Sequence, residues 1–102
     1  MRVTLRYFDG CPNWRTTLER LTSAIERTGL DAEVALERIG SEEEAERLRF
    51  QGSPTVLLDG TDPFADGSAW FGLACRIYLT EQGSEGSPSE DQLVAAISRF
   101  AP

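Results

Sequence analysis

Val3-Thr4-Leu5-Arg6-Tyr7-Phe8-Asp9-Gly10-Cys11-Pro12-Asn13-Trp14 is the stretch that decides the fold. Val3, Leu5 and Tyr7 fall on one face and Thr4, Arg6 and Phe8 on the other, the two-residue period of a strand over residues 3–8. Gly10 and Pro12 interrupt that strand. From Trp14 onward the apolar residues Trp14, Leu18, Leu21 and Ile25 recur at helical spacing, and Gly29 ends the stripe as a C-terminal cap. A strand that turns through a cysteine into a helix opens an α/β unit, with Cys11 at the corner.

Outward from this unit, Glu33-Val34-Ala35-Leu36-Glu37-Arg38-Ile39 is short and flanked by breakers, which predicts a second strand parallel to the first through a right-handed crossover. Ser41 followed by Glu44 is a capping box, and acidic residues crowd the start of the helix it opens, which runs to about Arg49. Gly52-Ser53-Pro54 breaks the chain before Thr55-Val56-Leu57-Leu58, a third strand closed by Asp59-Gly60. Residues 59–74 hold Gly60, Pro63, Gly67 and Gly72 without a sustained period and read as a long connection, a kind of segment that often carries function. Cys75-Arg76-Ile77-Tyr78-Leu79 resumes strand chemistry. After a polar turn, Ser87, Pro88 and Glu90 read as N-cap, N1 and N3 of a last helix that buries Leu93, Val94, Ile97 and Phe100. The order is β-α-β-α-β-β-α, in one domain over residues 1–102.

Composition narrows the function classes. At 102 residues one core is feasible and two are not, and 40% hydrophobic with 26% charged residues is an ordinary globular balance. A net charge of −7 repels phosphate backbones and anionic headgroups, so neither nucleic acid nor a membrane surface is expected as a partner. All ten basic residues are arginine, and lysine and histidine are absent. That removes the usual general base, the commonest metal ligand and any Schiff-base lysine, which excludes histidine-dependent hydrolysis and histidine-based metal sites, and no cofactor is expected. No apolar run approaches a bilayer span and the start lacks a signal-peptide core, so a cytoplasmic location is expected. Two cysteines are too few for a disulfide framework and are read first as thiols.

The element order, the Cys11-Pro12-Asn13-Trp14 turn after the first strand and Ser53-Pro54-Thr55 entering the third together resemble the thioredoxin-like superfamily over nearly the whole chain. The resemblance implies a four-stranded mixed sheet with helices on both faces. It maps the attacking cysteine onto Cys11, the cis-proline onto Pro54, and a rim of substrate-binding residues onto Pro12, Trp14, Ser53 and Pro54. A cis bond at Pro54 turns the backbone of Ser53 toward an extended substrate. At a helix start, unpaired N–H groups and the helix dipole favour the thiolate of Cys11.

This sequence departs from the superfamily where a second, resolving cysteine would stand, because that position is Trp14. A buried acid of the first strand falls near Leu5, and the tryptophan that precedes the first cysteine is Gly10. The implied activity is therefore that of a monothiol protein. Cys11 would form a mixed disulfide with a low-molecular-weight thiol or a protein disulfide, which an external thiol resolves.

Cys75, the other thiol, opens the fourth strand, which the simple topology starts at the end of the sheet away from Cys11; only the long connection could carry it across. Two other functions compete with thiol exchange. One is a partner- or peptide-binding groove between Cys11, Pro54 and the connection, with no chemistry. The other is soft-metal or organomercurial handling, since small proteins of this kind resemble those labelled alkylmercury lyase. Trp14 is read as core packing or as a substrate-facing aromatic, and Asp9 as a turn former. Trp70, Phe71 and Phe64 are read as a hydrophobic lid, a homodimer contact or a satellite core.

Overall fold

The computed structural model describes residues 1–67 and 70–101; Ser68 and Ala69 of the expected connection, and Pro102, lie outside the described residues. Five strands and three helices follow in the order β1 (Val3–Tyr7), α1 (Trp14–Thr28), β2 (Val34–Arg38), α2 (Glu42–Arg47), β3 (Thr55–Leu58), β4 (Tyr78–Thr80), β5 (Gly83–Glu85) and α3 (Glu90–Phe100). β1 is central, parallel to β2 with Leu5 opposite Leu36, and antiparallel to β3 with Leu5 opposite Val56. The helical stripe of α1 ends at Gly29, whose left-handed backbone (φ 72°) lets its N–H reach back to Glu26.

Val3, Leu5, Val56 and Leu58 turn one face of this sheet toward Leu21, Ala24 and Ile25 of α1 and Leu93, Ala96 and Ile97 of α3, and together they form the main core. Both long helices thus lie on the same face. Ile39, Ala45 and Phe50 form a second small cluster with Phe8, Leu48 and Leu73, beside the turn after β1. α2 is opened by Ser41, whose hydroxyl accepts from the Glu44 N–H at 3.1 Å, while the Glu44 carboxylate accepts from the Gly40 N–H at 2.7 Å.

The four-stranded mixed sheet with helices on both faces does not form. Sheet β2-β1-β3 has three strands, β4 and β5 make a separate two-stranded sheet, and the face bearing Thr4, Arg6, Glu37 and Leu57 lines an open cleft. The expected fourth strand meets the chain before β3 only at a single parallel bridge, Ser53 to Cys75. Proline explains the interruption. Pro54 has no N–H to donate, so a ladder beside β3 cannot propagate past Ser53. Residues 78–80 pair instead with 83–85, where a polar turn was expected, and Gly83 at φ 102° opens β5.

The last helix also starts later than its sequence suggests. Ser89 is the N-cap and forms a reciprocal box with Gln92, whereas Ser87 is buried and accepts a 2.7 Å hydrogen bond from Thr17 of α1. Glu90 is then the first helical residue rather than the third, and an acid in that first turn suits the helix dipole. Among the described residues no helix is long and apolar enough to cross a membrane.

Candidate functional site

Three breaks in regular structure meet at one point: the turn after β1, the Gly52-Ser53-Pro54 entry to β3, and the chain leading into β4. In the first, the Cys11 N–H closes a turn on the Phe8 carbonyl at 3.1 Å, and α1 begins only at Trp14 behind an Asn13 cap. Cys11 therefore stands ahead of the helix and not within its first turn. A residue before proline is pushed out of helical geometry, and Pro12 does this to Cys11.

Cys11 is 1% exposed, and its thiol donates to the carbonyl of Ser53 at 3.4 Å. Ser53 is wholly buried and joins Pro54 through a cis peptide bond. Its backbone is already occupied. The Ser53 N–H donates to Ala74 at 2.8 Å, and its carbonyl accepts from the Arg76 N–H at 2.9 Å. Residues 74–76 thus sit where the resemblance places an extended substrate, and an incoming strand could pair with Ser53 only by displacing them. The Ser53 hydroxyl has no hydrogen-bond partner among the described residues.

This arrangement overturns the expected remoteness of Cys75. The bridge sets its Cα about 5 Å from that of Ser53, the residue whose carbonyl accepts from the Cys11 thiol. Cys75 keeps its proton above the ordinary thiol range, first through partial loss of solvent around an otherwise exposed residue and then through the electrostatic influence of neighbouring Cys11. The long connection carries Cys75 across, and both cysteines are free thiols.

Side chains of the same segment hold it down. The Arg76 guanidinium donates to Asp62 at 2.6 Å and to the Phe64 carbonyl at 2.7 Å, and it lies over the Tyr78 ring at 4.7 Å. Tyr78 is buried and its hydroxyl donates to the Pro54 carbonyl. Burial raises its pKa strongly. Phe64 meets the Tyr78 ring edge-on and packs against the main core.

The remaining rim residues divide. Pro54 is fully buried and Pro12 exposed. Trp14 stacks on Tyr7 with ring centroids 4.2 Å apart, lies under Arg15 and packs against the main core. Asp9 turns away to pair with Arg38 at 2.7 Å. Phe71 lies under Arg49, and Trp70 is 54% exposed on the wall of a cleft of about 590 Å³ that also includes Gln51, Cys75, Ile77 and Leu79. Cys11 is not part of that wall.

Sequence reasoning missed Asp62 and Arg76 as the clamp on Cys75. The available signal was a single arginine inside an otherwise apolar run, opposite a connection containing Asp62. Among the described residues, no three histidine, cysteine, aspartate or glutamate side chains cluster as a metal site. Compared with models of protein families, with curated proteins and with solved structures, the chain gives no match, and its function is to be read from this site.

Proposed function

We propose that the chain carries out thiol–disulfide exchange at Cys11, with Cys75 as the second sulfur of the same site, acting on a low-molecular-weight thiol or a protein disulfide. The supporting observation is that Ser53 brings the two cysteines together: its carbonyl accepts from the Cys11 thiol and its backbone bridges to Cys75. The pair supplies what Trp14 withholds, a partner thiol for Cys11. Closing the pair would transfer two electrons to a substrate disulfide.

The test is mild oxidation of the whole protein with a peptide disulfide, followed by peptide mapping. A Cys11–Cys75 disulfide and release of the substrate thiols are expected. Two thiols that alkylate independently, with no disulfide and no mixed disulfide, would overturn the reading.

The same pair favours a second reading, capture of a thiophilic cation by two sulfur ligands. Titration with mercuric ion separates the two. A binding step lost in Cys75→Ser, in a protein inert to disulfides, would favour metal capture.

A further inference from the structure

The two sulfurs differ in access, and the difference assigns them different roles. Cys11 is 1% exposed with its thiol on the Ser53 carbonyl, whereas Cys75 is exposed and forms part of the cleft wall. Beyond Cys75 the backbone is extended, and exposure alternates along it. Arg76, Tyr78 and Thr80 turn inward, while Cys75, Ile77 and Leu79 turn outward, with Ile77 69% and Leu79 79% exposed. Successive outward side chains on such a backbone stand about 7 Å apart. Trp70 adds a third large apolar group to the same cleft.

We propose that Cys75 is the sulfur that exchanges with the partner, that Cys11 is the internal resolving thiol, and that the partner is a polypeptide disulfide whose cysteine is flanked by apolar residues. This rests on the thiol-exchange reading and reverses the roles the sequence resemblance implies.

Cys75 holds its proton above the ordinary thiol range. The small fraction that has released it to water attacks R–S–S–R′ as thiolate, forming Cys75–S–S–R and expelling R′S⁻, which takes up a proton. Cys11, deprotonated in turn, attacks the Cys75 sulfur, forming Cys11–S–S–Cys75 and expelling RS⁻, which is likewise protonated. The protein loses two electrons and two protons, and the substrate disulfide becomes two thiols. Attack on the closed disulfide by an outside thiolate follows the same path in reverse, since only the Cys75 sulfur faces the cleft. An anionic small disulfide gains nothing from the exposed row of Ile77 and Leu79 and is repelled by a chain of net charge −7.

The test uses full-length Cys11→Ser, Cys11→Ala and Cys75→Ser, a neutral peptide disulfide with leucine and phenylalanine flanks, and glutathione disulfide, with adducts followed by mass spectrometry. Both Cys11 variants should accumulate a persistent adduct on Cys75, and Cys75→Ser should react about tenfold more slowly because its remaining sulfur is covered. Ile77→Ser with Leu79→Ser should slow the apolar peptide about fivefold and leave glutathione disulfide unaffected.

If Cys75→Ser forms its adduct on Cys11 as fast as the Cys11 variants form theirs on Cys75, the role assignment falls while thiol exchange stands. If both disulfides react equally and the double variant changes neither, the apolar-peptide assignment falls. If no variant and no wild-type protein forms any adduct, thiol exchange itself falls.

Discussion

The two halves of the site are held by different forces. The turn bearing Cys11 hangs on β1, whose Val3 and Leu5 are completely buried against α1 and α3. The segment bearing Cys75 has little core of its own. Its outward residues face solvent, and it is fastened by directional bonds: two backbone bonds to Ser53, the Arg76–Asp62 pair and the Tyr78 hydroxyl on Pro54. Apolar burial is non-directional and cooperative, so the first half comes apart only with the whole domain. Polar fastenings can be undone singly, and the second half is where a local opening can expose Cys11 while the helices remain.

The largest expected effect is on the burial-held half. Leu5→Ala should cost about 4 kcal/mol, as for a fully buried leucine facing two helices. The urea midpoint of the helical signal should fall accordingly, and an unchanged midpoint would break the comparison. Next, Asp62→Ala leaves the Arg76 guanidinium, whose side chain is only 10% exposed, without its carboxylate. A cost of about 3 kcal/mol is expected. Here Cys11 alkylation should accelerate while circular dichroism retains the helices.

Gly52→Ala should cost about 2 kcal/mol, because φ is +111° and a Cβ would lie 3.0 Å from the Ala74 carbonyl oxygen. The same segment should loosen, again read by Cys11 alkylation. If Cys11 stays protected in both variants, the polar fastenings are not what covers it.

The smallest effect is also the one that depends on pH. Tyr78→Phe removes a buried hydrogen bond and should cost about 1 kcal/mol at neutral pH. Tyr78 and Cys75 both have pKa values raised in the folded chain, so above their ordinary values the unfolded chain binds fewer protons than the folded one. Their contribution is complete below about pH 8.5 and is lost as pH climbs toward the raised folded values. Urea midpoints at rising pH should therefore fall, and Tyr78→Phe should fall less steeply than wild type above about pH 10. In the same range, Cys11→Ala should lower the pKa of Cys75, read from the pH dependence of its alkylation, because after desolvation the influences that raise it come from Cys11.

Much of the first half was legible because its signals are local. The alternation of Val3, Leu5 and Tyr7, the stripe ending at Gly29 and the Ser41 cap each act within a few residues, and β1, α1 and α2 follow them closely. The second half misled for an equally physical reason. Residues 75–79 have strand composition, but a strand needs a neighbour, and the neighbour's pairing stops at Pro54. The cap of α3 was misplaced by two positions because Ser87 and Ser89 offer the same chemistry, and only the bond from Thr17 to Ser87 separates them.

By itself the sequence determined the central strand, the helices that cover it, a thiol at the corner between Tyr7 and Trp14, and the absence of any histidine or lysine to assist that thiol. These follow from periodicity and composition, which need no knowledge of distant partners. The tertiary structure decided that Cys75 crosses to Cys11, that residues 74–76 occupy the Ser53 backbone, and that the buried and exposed sulfurs are Cys11 and Cys75 in that order. Those depend on where an aperiodic connection returns to the domain. Its path is set by single long-range contacts such as Arg76 to Asp62, which leave no period in the sequence to read.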